Sequence, residues 1–490
     1  MKESIEIVDR VIGKLRSIAD KRSTDIYIIG GYVRDSLLGI ESNDIDIMVM
    51  GDAIGFAEAA AKEFNISLKA VYKNFLTALL LIPKEDDVEL DIKNISEYDL
   101  IEKKNILKIE FASSRKESYS ENSRNPSVVP ATLTEDLSRR DFTVNALAVK
   151  LTGNKNNSYE VIDHYEGLTD LRNKLIRTPL DPLKTFSDDP LRIMRGIRLA
   201  AKLGFSIEER TFEGMKEMAH RLLSDKVVSR ERISNEFLQI LMSDKPSMGL
   251  DLLYKAGVMK IIFPEFANLA GVEQRKDYHH KDVFYHTLQV VDNIAAKTNK
   301  LWLRYAALLH DIGKPPTKRF VEGTGWTFHG HEDYGARMLK KIFKEQKLPF
   351  TVLPYVEKLV RMHLRPIPLA KDAVTDSAIR RLAAEAGEEL EDLLMLCRAD
   401  ITTKNHDKQS KYMKNYEIVE KKIMDVQEKD QLRNFQSPVK GEEIMEYFNL
   451  QPSRQVGIIK KKIEEAILEG LIPNEYEAAK KFMEGMSKEF

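Results

Sequence analysis

Residues 26–50 read I-Y-I-I-G-G-Y-V-R-D-S-L-L-G-I-E-S-N-D-I-D-I-M-V-M, and this stretch decides the fold. The β-branched and aromatic run Ile26 to Ile29 reads as a buried strand, broken by Gly30-Gly31. Val33 to Leu38 reads as a short helical turn closing near Gly39. A second strand runs from Asp44 to Met50 and alternates, with Asp44, Asp46 and Met48 on one face and Ile45, Ile47 and Val49 on the other. Two carboxylates on one face, roughly 7 Å apart at Cα, suit hard divalent ions. Two such ions about 3.5–4 Å apart serve in-line phosphoryl displacement. The Gly pair lets backbone N–H groups approach an anion where a helix begins, a seat for a triphosphate. A lone D-x-D or a lone Gly-Gly is ordinary turn chemistry. The signal is their combination, with twelve residues between Gly31 and Asp44.

The rest of the chain sets bounds. Its 490 residues suit about three domains. Hydrophobic content of 43% and charged content of 31% describe a water-soluble globular protein. A single cysteine, Cys397, excludes a disulfide framework and suits a reducing cytoplasm. No run is long enough to span a bilayer, and the amphipathic N-terminus lacks the apolar core of a signal peptide. With a net charge of −1, any grip on nucleic acid must be a local patch. Composition leaves the oligomeric state open.

Outward from the opening stretch, residues 4–20 have helical spacing and Ala53 to Phe64 reads as an Ala-rich helix. Strand-like runs recur at Leu79 to Ile82, Val88 to Ile92 and Leu107 to Phe111, and residues 116–134 read as a mobile loop. A third acidic metal ligand has three candidates, Glu89, Asp91 and Glu110. The segment T-L-T-E-D-L-S-R-R-D-F-T-V-N-A-L-A-V, residues 132–149, offers Arg139 and Arg140 as rigid forks for phosphate oxygens. Asp141 and Asn145 suit a ribose or the Arg pair. In S-D-D-P-L-R-I-M-R-G-I-R, Pro190 starts a helix on which Arg192, Arg195 and Arg198 form a cationic stripe. Cytosine and adenine each present an amino donor beside a ring-nitrogen acceptor. Asp189 as acceptor and Arg192 as donor match that pattern and reject G and U. The competing role for Asp189 is to cap the helix that follows it.

These motifs together resemble a known family. Strand, Gly-Gly, helix, strand, D-x-D is the pattern of polymerase-beta-type nucleotidyltransferases. G-G-Y-V-R-D with N-D-I-D-I-M-V-M and R-R-D-F-T-V-N-A is similar to the class II tRNA nucleotidyltransferase and bacterial poly(A) polymerase family. The D-D-P-L-R segment resembles that family's E-D-x-x-R template motif, with Asp188 in place of Glu. The resemblance implies an α/β head over 1–150 and a helical neck over 151–270 that selects the nucleotide. An HD body over 271–400 and a helical, tRNA-binding tail over 401–490 would follow. It implies Asp44, Asp46 and, in preference to the other candidates, Glu110 as catalytic carboxylates, with Mg²⁺ on Asp44 and Asp46. Nucleotide contacts are implied for Gly30, Gly31, Arg34, Asp35, Arg139, Arg140, Asp141, Asn145, Asp189, Arg192 and Arg195.

The middle of the chain carries a second constellation, with seven of the ten histidines between His279 and His363. Imidazole with carboxylate suits a divalent metal acting on a phosphoester. The ordered set resembles the HD phosphohydrolase superfamily, whose ligands map to His286, His310, Asp311 and Asp400, with His331 and His363 available for a second ion. The expected activity is template-independent addition of C, C and A to tRNA from CTP and ATP. Alternatives are a poly(A) polymerase, an enzyme adding only C-C or only A, an HD-type metal phosphohydrolase with a degenerate head, and a non-catalytic RNA-binding protein. C-C-only enzymes resemble this chain with the loop after Arg115 shortened, so the resemblance implies that the intact loop here argues against that alternative.

Overall fold

The computed structural model describes residues 4–7, 9–83, 106–120, 123–153, 157–224, 228–272, 282–323, 325–370, 375–403, 405–434, 437–468, 471–473 and 475–486. Ten head strands follow in chain order: β1 (Ser4–Glu6), β2 (Ile26–Ile29), β3 (Asp44–Val49), β4 (Ala70–Tyr72), β5 (Thr77–Pro83), β6 (Ile106–Ser113), β7 (Arg115–Ser120), β8 (Ser123–Pro130), β9 (Leu147–Lys150) and β10 (Ser158–Asp163). Eight of them form one mixed sheet in the order β1-β10-β9-β2-β3-β6-β5-β4. β10 therefore joins the head sheet from beyond residue 150.

The alternation of the D-x-D strand sets the two faces of this sheet. Ile45, Ile47 and Val49 are fully buried against the helices Arg10–Lys21 and Ala53–Glu63, with Ile12, Leu15, Phe56, Ala57 and Ala60. Phe56 and Phe111 lie 5.8 Å apart between ring centroids. Each fully buried Ile contributes about 1.5–3 kcal/mol. A one-residue slip of β3 would put the aspartates into this core, so burial locks the register that keeps them on the opposite face. On the opposite face a smaller cluster, Ile29, Met48, Leu137, Ala146 and Ala148, floors the site.

Two expectations change here, and one falls on residues the structure does not describe. A strand, β1, precedes the first helix, which begins at Arg10 behind the Asp9 cap (Asp9 Oδ1 to Val11 N, 2.6 Å), because β1 pairs with β10 across a long sequence separation. Most of residues 116–134, read as a loop, form the β7–β8 hairpin. Its Ser- and Asn-rich composition has no apolar alternation to announce a strand, and cross-strand hydrogen bonding supplies the order. The run 88–92, with Glu89 and Asp91, lies outside the described residues.

Beyond the sheet the chain is mostly helical. Asp181 caps Pro182–Asp188, and Leu191–Leu203 ends at Gly204. Gly196 lets the latter helix seat on the head, because a Cβ there would meet Met215 Cε at 2.5 Å and Phe142 Cζ at 2.6 Å. Helices Val283–Ala295, Leu301–Leu309, His331–Glu345, Leu353–Met362 and Leu390–Ala399 follow. The chain divides into two compact units, residues 1–364 with 388–409, and residues 365–387 with 410–490. The second unit has its own core of Val439, Ile444, Ile459, Ile463, Ala479, Met483 and Met486. Among the described residues no helix is long and apolar enough to cross a membrane.

Candidate active site

β3 pairs with β6 in parallel, and the register sets Asp46 beside Glu110 and Asp44 beside Lys108. On its other side Asp46 faces Ile29, the last residue before the Gly pair. Of the three candidate third carboxylates, Glu110 is the one the structure describes, and it stands next to Asp46. Burial, then the neighbouring Asp44 and Glu110 carboxylates, pushes the Asp46 carboxyl up to about 7. Sequence reasoning missed Lys108, whose ammonium lies 3.3 Å from Asp44 Oδ1. The period-2 alternation of I-L-K-I-E-F, which puts Lys108 and Glu110 on one face, was the available signal. Clustered carboxylates that resist ionisation together fit a divalent cation, which relieves their repulsion. Asp44 is turned to Lys108, and the three head carboxylates do not close into a group with donor atoms within 4.8 Å.

Gly30 sits at the rim with φ +75°, and a Cβ there would meet Arg140 Nη1 at 2.9 Å and Asp46 Oδ2 at 3.3 Å. Arg140 and Asp46 thus both point at the Gly pair. No side chain caps the first turn of helix Gly31–Leu37. Arg139 turns instead onto Asp136, whose Oδ1 accepts from Nε at 3.2 Å and Nη2 at 2.5 Å. Arg34 and Asp35 are buried against each other, Arg34 Nε donating to Asp35 Oδ1 at 2.7 Å. Arg34 Nη1 also donates to Asn145 Oδ1, and Asn145 Nδ2 donates to Asp141 Oδ1 at 3.0 Å.

From the neck helix Leu191–Leu203, Arg195 Nη2 reaches Asp141 Oδ2 at 2.8 Å, and Lys202 Nζ reaches Asp35 Oδ2 at 3.5 Å. The chain Arg195, Asp141, Asn145, Arg34, Asp35, Lys202 therefore leaves one face of the neck helix, crosses the head and returns. Burial works to raise the Asp141 carboxyl, but Arg195, Asn145, Arg192 and Arg140 outweigh it and hold it at about 2. Asp141 in turn raises the Arg195 guanidinium above its ordinary value. Arg192 is buried with Nη1 3.5 Å from the Thr185 carbonyl. Asp189 Oδ1 accepts from Leu191 N at 3.1 Å, so one of its oxygens does cap the helix. Arg198 is spent on Glu236, at 2.5 Å.

The histidine constellation forms a second site. Nδ1–H of His310, His331 and His363 donates to the carbonyls of Ala307, Phe328 and Val360, at 2.7, 2.8 and 2.6 Å. A carbonyl only accepts, so Nδ1 carries a proton in each ring, and Nε2 is the nitrogen that holds the lone pair whenever the ring is neutral. All three Nε2 atoms are buried without a hydrogen bond. Asp311 stands at their centre, Oδ2 toward His286 (3.5 Å) and His310 (3.3 Å), Oδ1 toward His331 (3.3 Å) and His363 (4.0 Å). Asp400 Oδ1 lies 2.9 Å from His286 Nε2, whose ring Thr402 orients through Nδ1 at 2.8 Å. Two triads, His286/His310/Asp311 and Asp311/His331/His363, each gather ligand atoms within 4.8 Å and share Asp311. Burial alone would neutralise the Asp311 and Asp400 carboxyls, and the imidazoles around them hold both well below the usual range. Burial opposes charge on His310, yet Asp311 and Asp400 raise it to about 10. Burial and the His310 charge lower His363 to about 3. Orphaned imidazole nitrogens around shared carboxylates fit divalent metal. The sequence did not single out Lys314, 2.6 Å from Asp311 Oδ2, or Thr402.

Three family models match the chain: the poly A polymerase head domain over residues 26–177, the probable RNA and SrmB-binding site of polymerase A over 204–269, and the HD domain over 283–405. The CC-adding tRNA nucleotidyltransferase of Thermus thermophilus is 30% identical over 470 residues, 93% of this chain and 92% of that protein. The chain belongs to the tRNA nucleotidyltransferase and poly(A) polymerase family. It is a nucleotidyltransferase. The multifunctional CCA protein of Acidovorax ebreus is 31% identical over 381 residues, covering 76% of this chain and 81% of that one. A crystal structure of a tRNA nucleotidyltransferase with a primer tRNA and an incoming ATP analog shares 25% identity, with a TM-score of 0.55 over 83% of this chain and 98% of that one. The fold is also that of the Thermotoga maritima CCA-adding enzyme, at 19% identity and a TM-score of 0.53 over 99% of this chain and 100% of that one.

Proposed function

We propose that this nucleotidyltransferase adds C, C and A to the 3′ end of tRNA, taking CTP and ATP and working without a nucleic-acid template. The observation that carries the reading is the β3–β6 register, which sets Asp44, Asp46 and Glu110 on one face below Gly30 and Arg140. Asp44 and Asp46, with Glu110 beside them, would hold Mg²⁺, and bound there it would supply the charge that lowers the pKa of the RNA 3′-hydroxyl and offsets the leaving pyrophosphate. Arg140 and the Gly30-Gly31 backbone receive the triphosphate. Arg34, committed to Asp35 and Asn145, braces that seat from behind. Asp189 and Arg192 present an acceptor and a donor to the base edge, while Arg195 ties their helix to Asp141. The head extends past residue 150 to take in β10, the helices that follow up to 270 act as neck, 271–400 as HD body and 401–490 as tail. Lys460, Lys461 and Lys462 in the tail supply cations for RNA phosphates. The HD pocket holds one or two divalent ions on His286, His310, Asp311 and Asp400, with His331 and His363. The buried single thiol, whose Sγ donates to the His363 carbonyl at 2.9 Å, suits a cytoplasmic protein.

A second reading, addition of C-C alone, is favoured by the extent of the Thermus thermophilus match. One assay separates the two. The protein is incubated with tRNA truncated before, within and after C-C, each nucleotide is supplied singly, and the products are sequenced. Incorporation of A after C-C supports the full reaction, and its absence the partial one. Long A tracts would point to a poly(A) polymerase. Undiminished addition by a folded Asp44→Ala/Asp46→Ala variant would refute the proposed site.

A further inference from the structure

Beside the HD pocket a two-stranded hairpin, Arg319–Val321 paired with Gly325–Thr327, projects from the chain between Lys314 and His331. One of its faces carries a ladder. Nearest the pocket, the Lys314 ammonium lies 5.7 Å from the Phe328 ring centroid, and the same ammonium is 2.6 Å from Asp311 Oδ2. Next, Lys318 Nζ stands 4.4 Å over the Trp326 ring. Outermost, Phe320 meets Trp326 edge-on at 5.3 Å, its cross-strand partner by register. Alternation along each strand puts Lys318 and Phe320, and Trp326 and Phe328, on this one face.

Packing of the hairpin alone does not account for the ladder. A cross-strand aromatic pair pins a short hairpin, but Phe320 remains 59% exposed and is among the most exposed large apolar side chains of the described residues. Rings interleaved with ammonium groups complement a polyanion that carries flat bases, and that combination distinguishes single-stranded nucleic acid from an apolar protein partner. The ladder is also continuous with the metal pocket. Its inner cation touches the carboxylate shared by both triads, and the Phe328 carbonyl orients His331.

We propose that the Phe320–Trp326 face of this hairpin is a stacking platform for single-stranded RNA. Binding to the platform is independent of nucleotide addition in the head.

The test uses the full chain in a Trp302→Phe background, which leaves Trp326 as the only tryptophan. The probe is an eight-nucleotide single-stranded oligo(A) RNA in EDTA, so that neither site turns over. Saturable quenching of Trp326 emission is expected. Phe320→Ala should weaken it about five- to hundredfold, and Lys318→Gln should flatten its dependence on salt. Inorganic polyphosphate and an RNA duplex should quench far less. Unchanged Trp326 emission while a labelled copy of the RNA is bound elsewhere would overturn the platform. Equal quenching by polyphosphate or duplex, or undiminished affinity in Phe320→Ala, would overturn it as well. Addition to truncated tRNA is measured on the same proteins. Quenching without addition refutes the proposed head reaction and leaves the platform, whereas addition without quenching does the reverse.

Discussion

Replacing Gly30 by alanine tests the geometry of the triphosphate seat directly. Gly30 has φ +75° and ψ −133°, a region where any Cβ is strained by about 1–3 kcal/mol. The new methyl would also stand 2.9 Å from Arg140 Nη1 and 3.3 Å from Asp46 Oδ2. Arg140 is the flexible partner, so it yields, and the head still folds with its midpoint of thermal unfolding lowered by a few degrees. The guanidinium that yields is the one assigned to the triphosphate. A displacement of about 1 Å in such a group costs on the order of 100-fold in rate. Gly39→Ala supplies the control, because Gly39 has φ +67° and nothing within 4 Å of its Cβ position. Both variants should lose similar thermal stability. Only Gly30→Ala should lose kcat/KM for nucleotide addition, measured with labelled CTP on truncated tRNA. Unchanged kcat/KM in Gly30→Ala, or an equal loss in Gly39→Ala, would refute the argument from contact with Arg140 and Asp46.

Three further outcomes follow from the charges. With the Asp46 carboxyl at about 7, protons compete with Mg²⁺, so the Mg²⁺ requirement for addition should rise between pH 8 and pH 6; an identical requirement at both would sink that assignment. Because this folded value lies above the ordinary one, the metal-free chain binds an extra proton between about pH 4 and 7 and loses stability as pH rises through that window. Asp46→Asn should remove this contribution, read as a difference between the urea midpoints of parent and variant that changes over the same range. Asp141 has the opposite sign: held at about 2, it contributes stability above the usual carboxylate range that vanishes as pH falls from about 4 through about 2. The shift alone is worth about 2 kcal/mol, and the 41% exposure of the Arg195 side chain screens it toward about 1 kcal/mol. Asp141→Asn should therefore be less stable at pH 7 and converge on the parent below pH 4, and a constant difference would be evidence against the pair. In the HD pocket, His310→Ala and His363→Ala should each lower the divalent metal content of the chain while nucleotide addition persists; undiminished metal in both would discard the two triads.

What could be read from the chain was whatever depends on neighbours a few residues away. The alternation in D-I-D-I-M-V-M assigns Asp44 and Asp46 to one face and Ile45, Ile47 and Val49 to the core, because side-chain direction in a strand has period two. Gly30, R-R-D, the cationic neck stripe and the ordered histidines were legible for similar reasons, since each motif is compact and its residue types carry a definite chemistry. Which groups actually meet was not legible. Lys108 reaches Asp44 only because β6 lies parallel to β3 in one register. Arg195 finds Asp141 through the seating of a neck helix on Phe142 that Gly196 permits, and Arg34 finds Asn145 where helix Gly31–Leu37 packs against residues 143–145 within the head. Asp311 became the carboxylate common to two histidine triads only when four helices converged on it. Residue pattern is a local property and chose the ingredients. Contact between residues far apart in sequence is settled by burial and strand pairing, and these chose the partners.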